Sequence, residues 1–229
     1  MTLRLGVPSK GRLMDKTFAW FAERGLEMRR SGSDREYAAE VAGADLDLML
    51  LSAGEIPREL AAGRIHLGVT GSDLVQDRVP AWDQAVEVLA PMGFGHADLV
   101  IAVPDIWIDV ATLDDLDAVA AAFRARHGFR LRIATKYHRL VRDFLREAGV
   151  ADYRLVDSQG ATEGTVAHGT AEAIADITST GETLRANHLK LLDDGLIHRS
   201  EATLYRARGA GWGEAERAAL ADLSRRIGG

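Results

Sequence analysis

The sequence predicts an α/β protein with a mainly parallel sheet, divided into two lobes. Short apolar segments alternate along the chain with segments of helical periodicity, and the loops between them are short. This alternation is typical of β-loop-α units. The nearly continuous apolar run Leu46–Leu51 suits a strand buried on both faces, as in a parallel sheet. Near residues 80–95 two strand-like segments follow each other directly, which we interpret as the crossing into the second lobe.

The first part of the chain shows this alternation in order. Leu3–Val7 predicts a strand that ends at Pro8, and Leu13–Arg24 has apolar residues at helical spacing. Pro57 suits the first turn of a helix, and Gly71-Ser72-Asp73 suits a helix start. The other elements predicted before residue 95 are strands at 36–41, 46–51, 65–70 and 86–92 and a helix at 57–62.

The second part continues with the same kinds of segment. The predicted strands are 98–103, 131–135, 153–156 and 173–177, and the predicted helices are 113–126, 137–148, 162–168 and 213–227. Two α/β lobes joined by strands imply a ligand cleft between them. If ligands follow the carboxyl ends of strands, the loops 8–12, 52–56, 70–73 and 178–183 would face that cleft.

Composition excludes several classes of protein. The chain has 229 residues, 47% of them hydrophobic and 27% charged, as in a globular protein. The net charge of −6 argues against general binding of nucleic acid. The absence of cysteine excludes disulfides, thiolate catalysis and cysteine zinc sites. No segment approaches the roughly 20 apolar residues of a membrane span, and the first residues lack a signal-peptide core. We therefore expect a cytoplasmic protein without nucleic-acid or membrane partners.

Residues 173–189 join an apolar strand, a turn rich in hydroxyls and a helix start. Ala173–Ile177 is apolar apart from Asp176, and Thr178-Ser179-Thr180-Gly181-Glu182-Thr183 follows. Such a turn directs amides and hydroxyls to one spot where a helix dipole favours an anion, and Gly181 lets the backbone approach closely. Asp176 would lie beside the anion and could hold ribose hydroxyls or a metal. The local pattern leaves two interpretations open: a phosphate cradle with a sugar-binding acid, or an ordinary helix N-cap.

Cations follow the first strand of the chain and recur in the next polar turn. Lys10 and Arg12 precede a helix, where cations oppose the helix dipole, and this placement favours a functional role. Arginine can bind a phosphate through two parallel hydrogen bonds. Arg35 belongs to a polar turn with three arginines, which is either a solvated loop or part of an anionic-ligand site. Together these residues predict phosphorylated substrates.

Ten positions between residues 163 and 184 stand in the spacing of a known family signature. They are Glu163, Gly169, Ala171, Ile174, Asp176, Ile177, Thr180, Gly181, Thr183 and Leu184. The match extends to Pro8–Leu13, Glu55–Pro57, Leu67–Gly71 and Ile133–Tyr137. On these residues the chain resembles the short form of the ATP phosphoribosyltransferase family over most of residues 3–190.

The resemblance implies a two-lobe fold like that of type II periplasmic binding proteins, with the chain crossing twice between lobes. Residues 1–90 and 188–229 would form lobe I, and residues 91–187 would form lobe II with the phosphoribose loop. It also implies transfer of phosphoribose from 5-phosphoribosyl 1-pyrophosphate to N1 of the adenine of ATP, the first step of L-histidine biosynthesis. Mg²⁺ would be bound through the substrate pyrophosphate, with no metal site belonging to the protein alone.

The resemblance also assigns site residues. Those expected to bind phosphoribosyl pyrophosphate are Glu163, Asp176, Thr178, Ser179, Thr180, Gly181, Glu182 and Thr183, with Asp176 and Glu163 on ribose hydroxyls. Those expected to bind ATP phosphates or pyrophosphate are Lys10, Arg12, Arg35 and Gly71, with Lys10 and Arg35 as catalytic cations. Adenine N1 already has a lone pair, so no strong base is needed and we expect no catalytic Ser–His pair. Positioning and cations on the leaving group supply the rate enhancement.

The chain departs from the family pattern in one position, and its length suggests a partner. Many members carry an arginine where Ser52 stands here, so Arg58, or Lys10 with Arg35, would take over its role. After Arg208 only about twenty residues remain, too few for the regulatory domain of the long form. Short-form members pair instead with a regulatory subunit resembling histidyl-tRNA synthetase, and we expect that partner in a hetero-oligomer.

Three other functions would each give the sequence a feature that differs from what is seen here. A type I phosphoribosyltransferase would carry two adjacent acids in its loop, whereas Ala175 precedes Asp176 here. A type II solute-binding protein would carry a secretion signal. A regulatory subunit with weak catalysis would show degraded phosphate-loop residues, and those at 178–183 are intact.

Overall fold

The computed structural model describes residues 2–30, 38–42 and 46–228, and the chain divides into two compact units. Unit 1 consists of Met1–Gly95 and Glu201–Gly229, and unit 2 is the continuous segment His96–Ser200. The chain therefore passes from unit 1 to unit 2 and back. The sequence placed the two boundaries after residues 90 and 187, whereas the units divide after residues 95 and 200.

The chain begins with the first part of unit 1, in which strands and short helices alternate. The elements are β1 Leu3–Pro8, α1 Gly11–Ala22, β2 Glu27–Arg30, β3 Ala38–Ala42, β4 Leu46–Leu51, α2 Ile56–Ala61, β5 Leu67–Gly71, α3 Ser72–Arg78, α4 Trp82–Ala85 and β6 Val86–Pro91.

Unit 2 follows, and then the chain returns to unit 1. The elements of unit 2 are β7 Ala97–Pro104, α5 Leu113–His127, β8 Leu131–Thr135, α6 His138–Glu147, β9 Tyr153–Asp157, α7 Gly164–Ala167, β10 Ala173–Thr178, α8 Glu182–Ala186 and β11 Leu189–Ser200. The returning elements are β12 Ala202–Ala207 and α9 Glu214–Ile227.

The described strands of each unit form one mixed sheet. In unit 1 the order is β2-β3-β4-β1-β5-β12-β6, and in unit 2 it is β11-β7-β10-β8-β9. β1 runs parallel to β4 and β5, and β8 runs parallel to β9 and β10. The other described pairings, including those of β12 with β5 and of β7 with β10, are antiparallel. The prediction of a mainly parallel sheet is therefore wrong, although each unit has a parallel core of three strands.

Apolar strand residues and the inner faces of helices build the two cores. In unit 1, Leu5 and Val7 of β1 are fully buried and pack in one cluster with Leu204 of β12 and Leu223 of α9. His66 joins the C-terminal segment to this unit, because its Nδ1 accepts from the Arg4 amide at 3.0 Å and its Nε2 donates to the Gly211 carbonyl at 3.2 Å.

In unit 2 the strand β7 is buried on both faces. β7 contributes buried residues at successive positions from Leu99 to Val103, as expected for a strand covered on both sides. α5 buries Leu113, Leu116 and Ala120, and α6 buries Val141 and Leu145. A capping box starts α5: the Asp115 amide donates to Thr112 Oγ1, and Asp115 Oδ2 accepts from the Thr112 amide at 2.9 Å.

Three strands had not been predicted, β2, β11 and β12. β11 contains Asp193-Asp194-Gly195, a combination that indicates a turn from sequence. In the structure these residues form an irregularity in the pairing with β7, and Asp194 Oδ1 accepts from the Leu113 amide at 2.9 Å. A Cβ at Gly195 would lie 2.9 Å from Leu192 Cβ, so glycine allows the strand to continue. The helix start expected within residues 173–189 is α8, which runs from Glu182 to Ala186. Among the described residues no helix is long and apolar enough to cross a membrane.

Candidate active site

Three loops of unit 1 meet at the carboxyl edge of its sheet, because β4, β1 and β5 are parallel neighbours. The Ser9 amide donates to the Leu51 carbonyl at 2.7 Å, which ties the loop after β1 to the end of β4. The Thr70 hydroxyl donates to the Ala53 carbonyl at 2.8 Å, which ties β5 to the loop after β4. The loops predicted to carry function in this unit are thus brought together by backbone carbonyl contacts.

Lys10 and Arg12 are exposed at this edge. Lys10 has extended backbone with φ −161°, and Gly11 then takes φ +73°, a conformation that favours glycine and turns the chain into α1. No ion pair joins either cation to another residue in the ranges that the structure describes. Their charges therefore stay available to an anionic ligand.

Of the other two candidates in unit 1, the structure describes Gly71 and does not describe Arg35. Gly71 ends β5 and is the N-cap residue of α3, with φ −68°, so it contributes through its backbone at the same edge. Asp73, in the first turn of α3, is buried. Arg35 lies outside the described residues, and its predicted role stays a prediction.

The turn after β4 contains Ser52, where the family pattern has arginine. The Ser52 amide donates to Glu55 Oε2 at 3.0 Å, and hydrogen bonds from Ser52 lower the pKa of Glu55 below its usual value. Arg78, at the end of α3, donates from Nη1 to the Gly54 carbonyl at 2.8 Å. A Cβ at Gly54 would lie 2.9 Å from that nitrogen, so the glycine makes room for the guanidinium. Arg78, which sequence reasoning missed, is thus a cation bonded to this turn.

In unit 2 the corresponding edge is formed by β8, β9 and β10. Thr135 pairs with Asp157, and Ile174 of β10 pairs with Ala134, so the three carboxyl ends lie side by side. The Ser158 amide donates to the Thr135 carbonyl at 3.1 Å. β7 starts at this edge as well, because its residue Asp98 pairs antiparallel with Thr178.

The turn 178–181 is held by its own hydroxyls. Gly181, with φ +72°, donates its amide to Thr178 Oγ1 at 2.9 Å, and the Glu182 amide donates to Thr180 Oγ1 at 3.3 Å. Each threonine hydroxyl accepts one hydrogen bond here and still has its own proton to donate. Ser179 differs, because its Oγ donates to the His96 carbonyl at 3.2 Å. The turn therefore offers threonine O–H donors in a backbone conformation that glycine permits.

The helix after this turn is too short to supply much of a dipole. α8 has five residues, and Leu184 anchors it in the core of unit 2. Glu182 and Thr183 are exposed in its first turn, and the Glu182 carboxylate would oppose a bound phosphate. The expectation that a helix dipole favours the anion therefore has little support, and hydroxyls and amides of the turn carry the interpretation. Arg185 lies close by, with Nη2 donating to the Thr180 carbonyl at 3.1 Å.

Asp176 and Glu163 lie at the same edge on opposite sides of β8, Asp176 on β10 and Glu163 in the loop after β9. Asp176 is half-buried one residue before Ile177, and its Oδ1 accepts from the Ile177 amide at 2.8 Å. Glu163 precedes α7 in the loop after β9, where Ser158 Oγ and Thr162 Oγ1 are 3.1 Å apart and hydrogen-bonded. This bond keeps the start of α7 close to the carboxyl end of β9. Glu163 therefore stays near the sheet edge at which β8, β9 and β10 end.

Lys136 is a second residue that sequence reasoning did not assign to the site. It follows β8 directly, and its Nζ lies 3.8 Å from Asp176 Oδ1. The strand 131–135 was predicted with these bounds, so the rule that ligands follow the carboxyl ends of strands would have selected Lys136 as well.

Comparison with known proteins assigns the chain to a family. The family model described as ATP phosphoribosyltransferase matches residues 52–229. The ATP phosphoribosyltransferase of Cereibacter sphaeroides is 69% identical over 229 residues, covering 100% of this chain and 97% of that protein. The chain belongs to the ATP phosphoribosyltransferase family. It is thus a pentosyltransferase of histidine biosynthesis, and the family and enzyme class predicted from its sequence are confirmed.

Further relatives agree with this membership and with the fold. The ATP phosphoribosyltransferase of Chelativorans is 55% identical over 210 residues, with 91% of each chain covered. The structure titled ATP phosphoribosyl transferase (HisG:HisZ) complex from Thermotoga maritima has a TM-score of 0.73 at 21% identity, covering 99% of this chain and 96% of that chain.

An ancestral amino acid-binding protein has a TM-score of 0.54 at 13% identity, covering 99% of this chain and 88% of that chain. These structural likenesses show the fold alone, and they confirm the predicted class, a two-lobe α/β fold like that of periplasmic binding proteins.

Proposed function

We propose that the edge formed by β8, β9 and β10 binds 5-phosphoribosyl 1-pyrophosphate in the phosphoribosyl transfer to ATP. The turn 178–181 would hold the 5-phosphate through the hydroxyls of Thr178 and Thr180 and the amides around Gly181. The observation that carries this proposal is the geometry of that turn, in which both hydroxyls accept from amides and keep a proton to donate. Asp176 would then receive ribose hydroxyls, with Glu163 beside it.

Further exposed residues at and after the turn are proposed to bind the same ligand. Ser179, Glu182 and Thr183 belong to the same proposal. Ser179 would exchange its hydrogen bond to the His96 carbonyl for one to the phosphate. Glu182 would act through its amide, because a carboxylate repels phosphate.

The cations of unit 1 would bind the other charged groups. We assign Lys10, Arg12 and Gly71 to the phosphates of ATP or to pyrophosphate, since they lie at one edge and both cations are exposed. Arg35, named from the resemblance, is assigned with them. Lys10 and Arg35 would be the catalytic cations, because charge builds on pyrophosphate as it leaves.

The reaction needs no proton removal to begin. The lone pair of adenine N1 forms a bond to C1 of the ribose, and the bond from C1 to the pyrophosphate oxygen breaks with its electron pair going to pyrophosphate. The sugar carries positive charge in between, and the protein's task is to align the two substrates and to stabilise the leaving group. Asp176 fits this task because its carboxylate would hold the ribose hydroxyls in one orientation.

Mg²⁺ is proposed as the cofactor on the substrate pyrophosphate. In the described part of the chain no three His, Asp or Glu side chains come together as a metal site. Mg²⁺ commonly binds through one or two carboxylates plus substrate phosphates, and Asp176 with its half-buried carboxylate suits that donor set. When bound, Mg²⁺ would neutralise charge on the leaving group.

A histidyl-tRNA-synthetase-like regulatory subunit is proposed as the partner, as expected from the resemblance to the short form. The Thermotoga maritima structure supports this, since its title names a HisG:HisZ complex. A cytoplasmic location belongs to the same proposal, because the reaction consumes ATP.

The proposal is tested by an assay of the purified chain with ATP, phosphoribosyl pyrophosphate and Mg²⁺. We expect release of pyrophosphate and the near-ultraviolet change of N1-alkylated adenine. The assay is repeated with the synthetase-like subunit added. Absence of turnover in both forms would refute the proposed reaction, and turnover only with the subunit would show that the partner is required.

A further inference from the structure

Lys136 stands at the carboxyl end of β8, beside the strand that carries Asp176. Because β8 and β10 are parallel and Ile174 pairs with Ala134, Lys136 is level with Asp176 across a gap of about 4.8 Å between strands. Its Nζ is 3.8 Å from Asp176 Oδ1, and the two side chains are 30% and 16% exposed. It is thus a cation that is partly screened from water and close to the phosphate turn.

The backbone around Lys136 is fixed on both sides. Thr135 is fully buried, and its Oγ1 accepts from the Tyr137 amide at 3.0 Å. The Tyr137 ring is buried, and Lys136 Nζ lies 5.1 Å from the ring centroid. The position of the ammonium is therefore set by the end of β8 and not by a mobile loop.

The ammonium has donors to spare. At 3.8 Å its interaction with Asp176 is an ion pair without a hydrogen bond, and Asp176 Oδ1 already accepts from the Ile177 amide. A lysine ammonium has three N–H donors, and none is hydrogen-bonded to another residue in the ranges described. These donors are therefore available to an anionic ligand at the end of β8.

We infer that Lys136 binds the pyrophosphate group of phosphoribosyl pyrophosphate, on the side of the ribose opposite the 5-phosphate. The inference rests on the proposed placement of the 5-phosphate at 178–181 and of the ribose at Asp176. Going back along β10 from that turn one reaches Asp176, and Lys136 lies beside Asp176 on the neighbouring strand β8. The ligand has its groups in the same order, namely 5-phosphate, ribose and pyrophosphate. Lys136 thus neutralises negative charge that forms at the leaving group and holds the C1 side of the ribose.

The test compares two ligands that differ only in the pyrophosphate. Binding of phosphoribosyl pyrophosphate with Mg²⁺, and of ribose 5-phosphate, is measured by calorimetry on the full chain and on Lys136→Met. We expect the affinity for phosphoribosyl pyrophosphate to fall about tenfold or more, since a charge-assisted hydrogen bond is lost, and the affinity for ribose 5-phosphate to change less than about threefold. Lys136→Arg keeps the charge and should retain most of the affinity.

Arg126→Met is the matched control. Arg126 is an exposed cation in the last turn of α5 in unit 2, and Arg124 of the same turn bonds Asp152 just before β9 begins, at the sheet edge opposite the phosphate turn. Arg126→Met should leave both affinities unchanged, and thermal melts of all variants check folding.

Equal loss of both ligands in Lys136→Met would overturn the inference, because Lys136 would then act only through Asp176. Unchanged binding of both ligands would overturn it as well. If the unmodified chain binds no phosphoribosyl pyrophosphate, with or without ATP, the proposed function fails first and the inference falls with it.

Discussion

The two sheet edges are built alike and carry different chemistry. In each unit three parallel strands end side by side, β4, β1 and β5 in one and β8, β9 and β10 in the other. The unit 1 edge displays exposed cations, Lys10 and Arg12, whereas the unit 2 edge displays a hydroxyl turn followed by a short helix. Similar scaffolds thus place two exposed cations in unit 1, and a turn of ordered donors beside a single partly buried cation, Lys136, in unit 2.

Under the proposed function, this difference corresponds to two tasks of phosphate recognition, with Lys136 of unit 2 sharing the second. A hydroxyl turn with amide donors fits one phosphate in one orientation, so it suits the group that stays on the sugar. Flexible cations follow charge wherever it develops, so they suit a group that leaves. Variants at the two edges test whether their roles differ in this way.

The largest expected effect concerns the turn of unit 2. Gly181→Val places a β-branched residue at φ +72°, where Arg185 Nη1 would also lie 3.1 Å from its Cβ, and the turn must rearrange. We expect the affinity for phosphoribosyl pyrophosphate to fall about 100-fold, because several charge-assisted hydrogen bonds are lost together. Equilibrium binding measures this loss.

Gly128→Val is the matched control for backbone strain. Gly128 has φ +76° at the end of α5, with nothing within 4 Å of an added Cβ. It should cost stability and leave binding unchanged. If both variants lose affinity equally, the effect of Gly181→Val is strain alone and the cradle is wrong.

A smaller effect, in rate and less in binding, is expected in unit 1. Lys10→Met removes a cation that we place on the leaving group, so kcat should fall about tenfold to 100-fold while the affinity for phosphoribosyl pyrophosphate changes less. Lys16→Met, exposed on the next turn of α1, is the control and should leave kcat unchanged. Pre-steady-state and steady-state rates of pyrophosphate release measure both; a loss of affinity without loss of kcat would contradict the division.

The smallest effect concerns the stability of unit 2 and its dependence on pH. Hydrogen bonds from the Ala111 amide and from Thr112 hold the pKa of Asp115 below its usual value. A carboxyl whose pKa is lowered on folding stabilises the folded state above its unfolded pKa of about 3.9, and this stabilisation is lost as the pH falls through the folded value. Asp115→Asn should therefore be less stable than the unmodified chain at neutral pH, with the gap closing in acid.

Urea denaturation at several pH values measures this gap. A gap that stays constant down to strongly acidic pH would show that the charge of Asp115 does not contribute. Phosphoribosyl pyrophosphate binding at neutral pH should be the same in both proteins, because the hydrogen bonds of the Asp115 side chain are made to Ala111 and Thr112 at the start of α5.

Much of the fold was predictable because periodicity and loop chemistry agree locally. Leu131–Thr135 was predicted with its observed bounds, since an apolar strand is followed at once by Lys136 and a helix. β11 and β12 were missed for physical reasons. Asp193-Asp194-Gly195 is turn chemistry that the fold uses inside a strand, where Asp194 bonds to the start of α5.

The parts of the candidate site that are formed by residues close together in sequence were predictable. The parts formed by residues that only folding brings together were not. Thr178, Thr180 and Gly181 act within four residues, so their spacing predicts the turn. The contact of Arg78 with Gly54 joins residues far apart in the chain, and no short-range pattern encodes it. Lys136 was missed although its signal was present, because its position after a strand was used only for the family resemblance.

The discontinuity of unit 1 has a consequence for the order of events on the ribosome. Unit 2 is complete once residue 200 has been synthesised, whereas β12, which lies between β5 and β6 in the interior of the unit 1 sheet, has not yet emerged. In the described residues β6 pairs only with β12, and the C-terminal segment is further held by His66. The nascent chain therefore carries every strand of unit 2 while unit 1 still lacks an interior strand of its sheet, so unit 2 can complete its fold first.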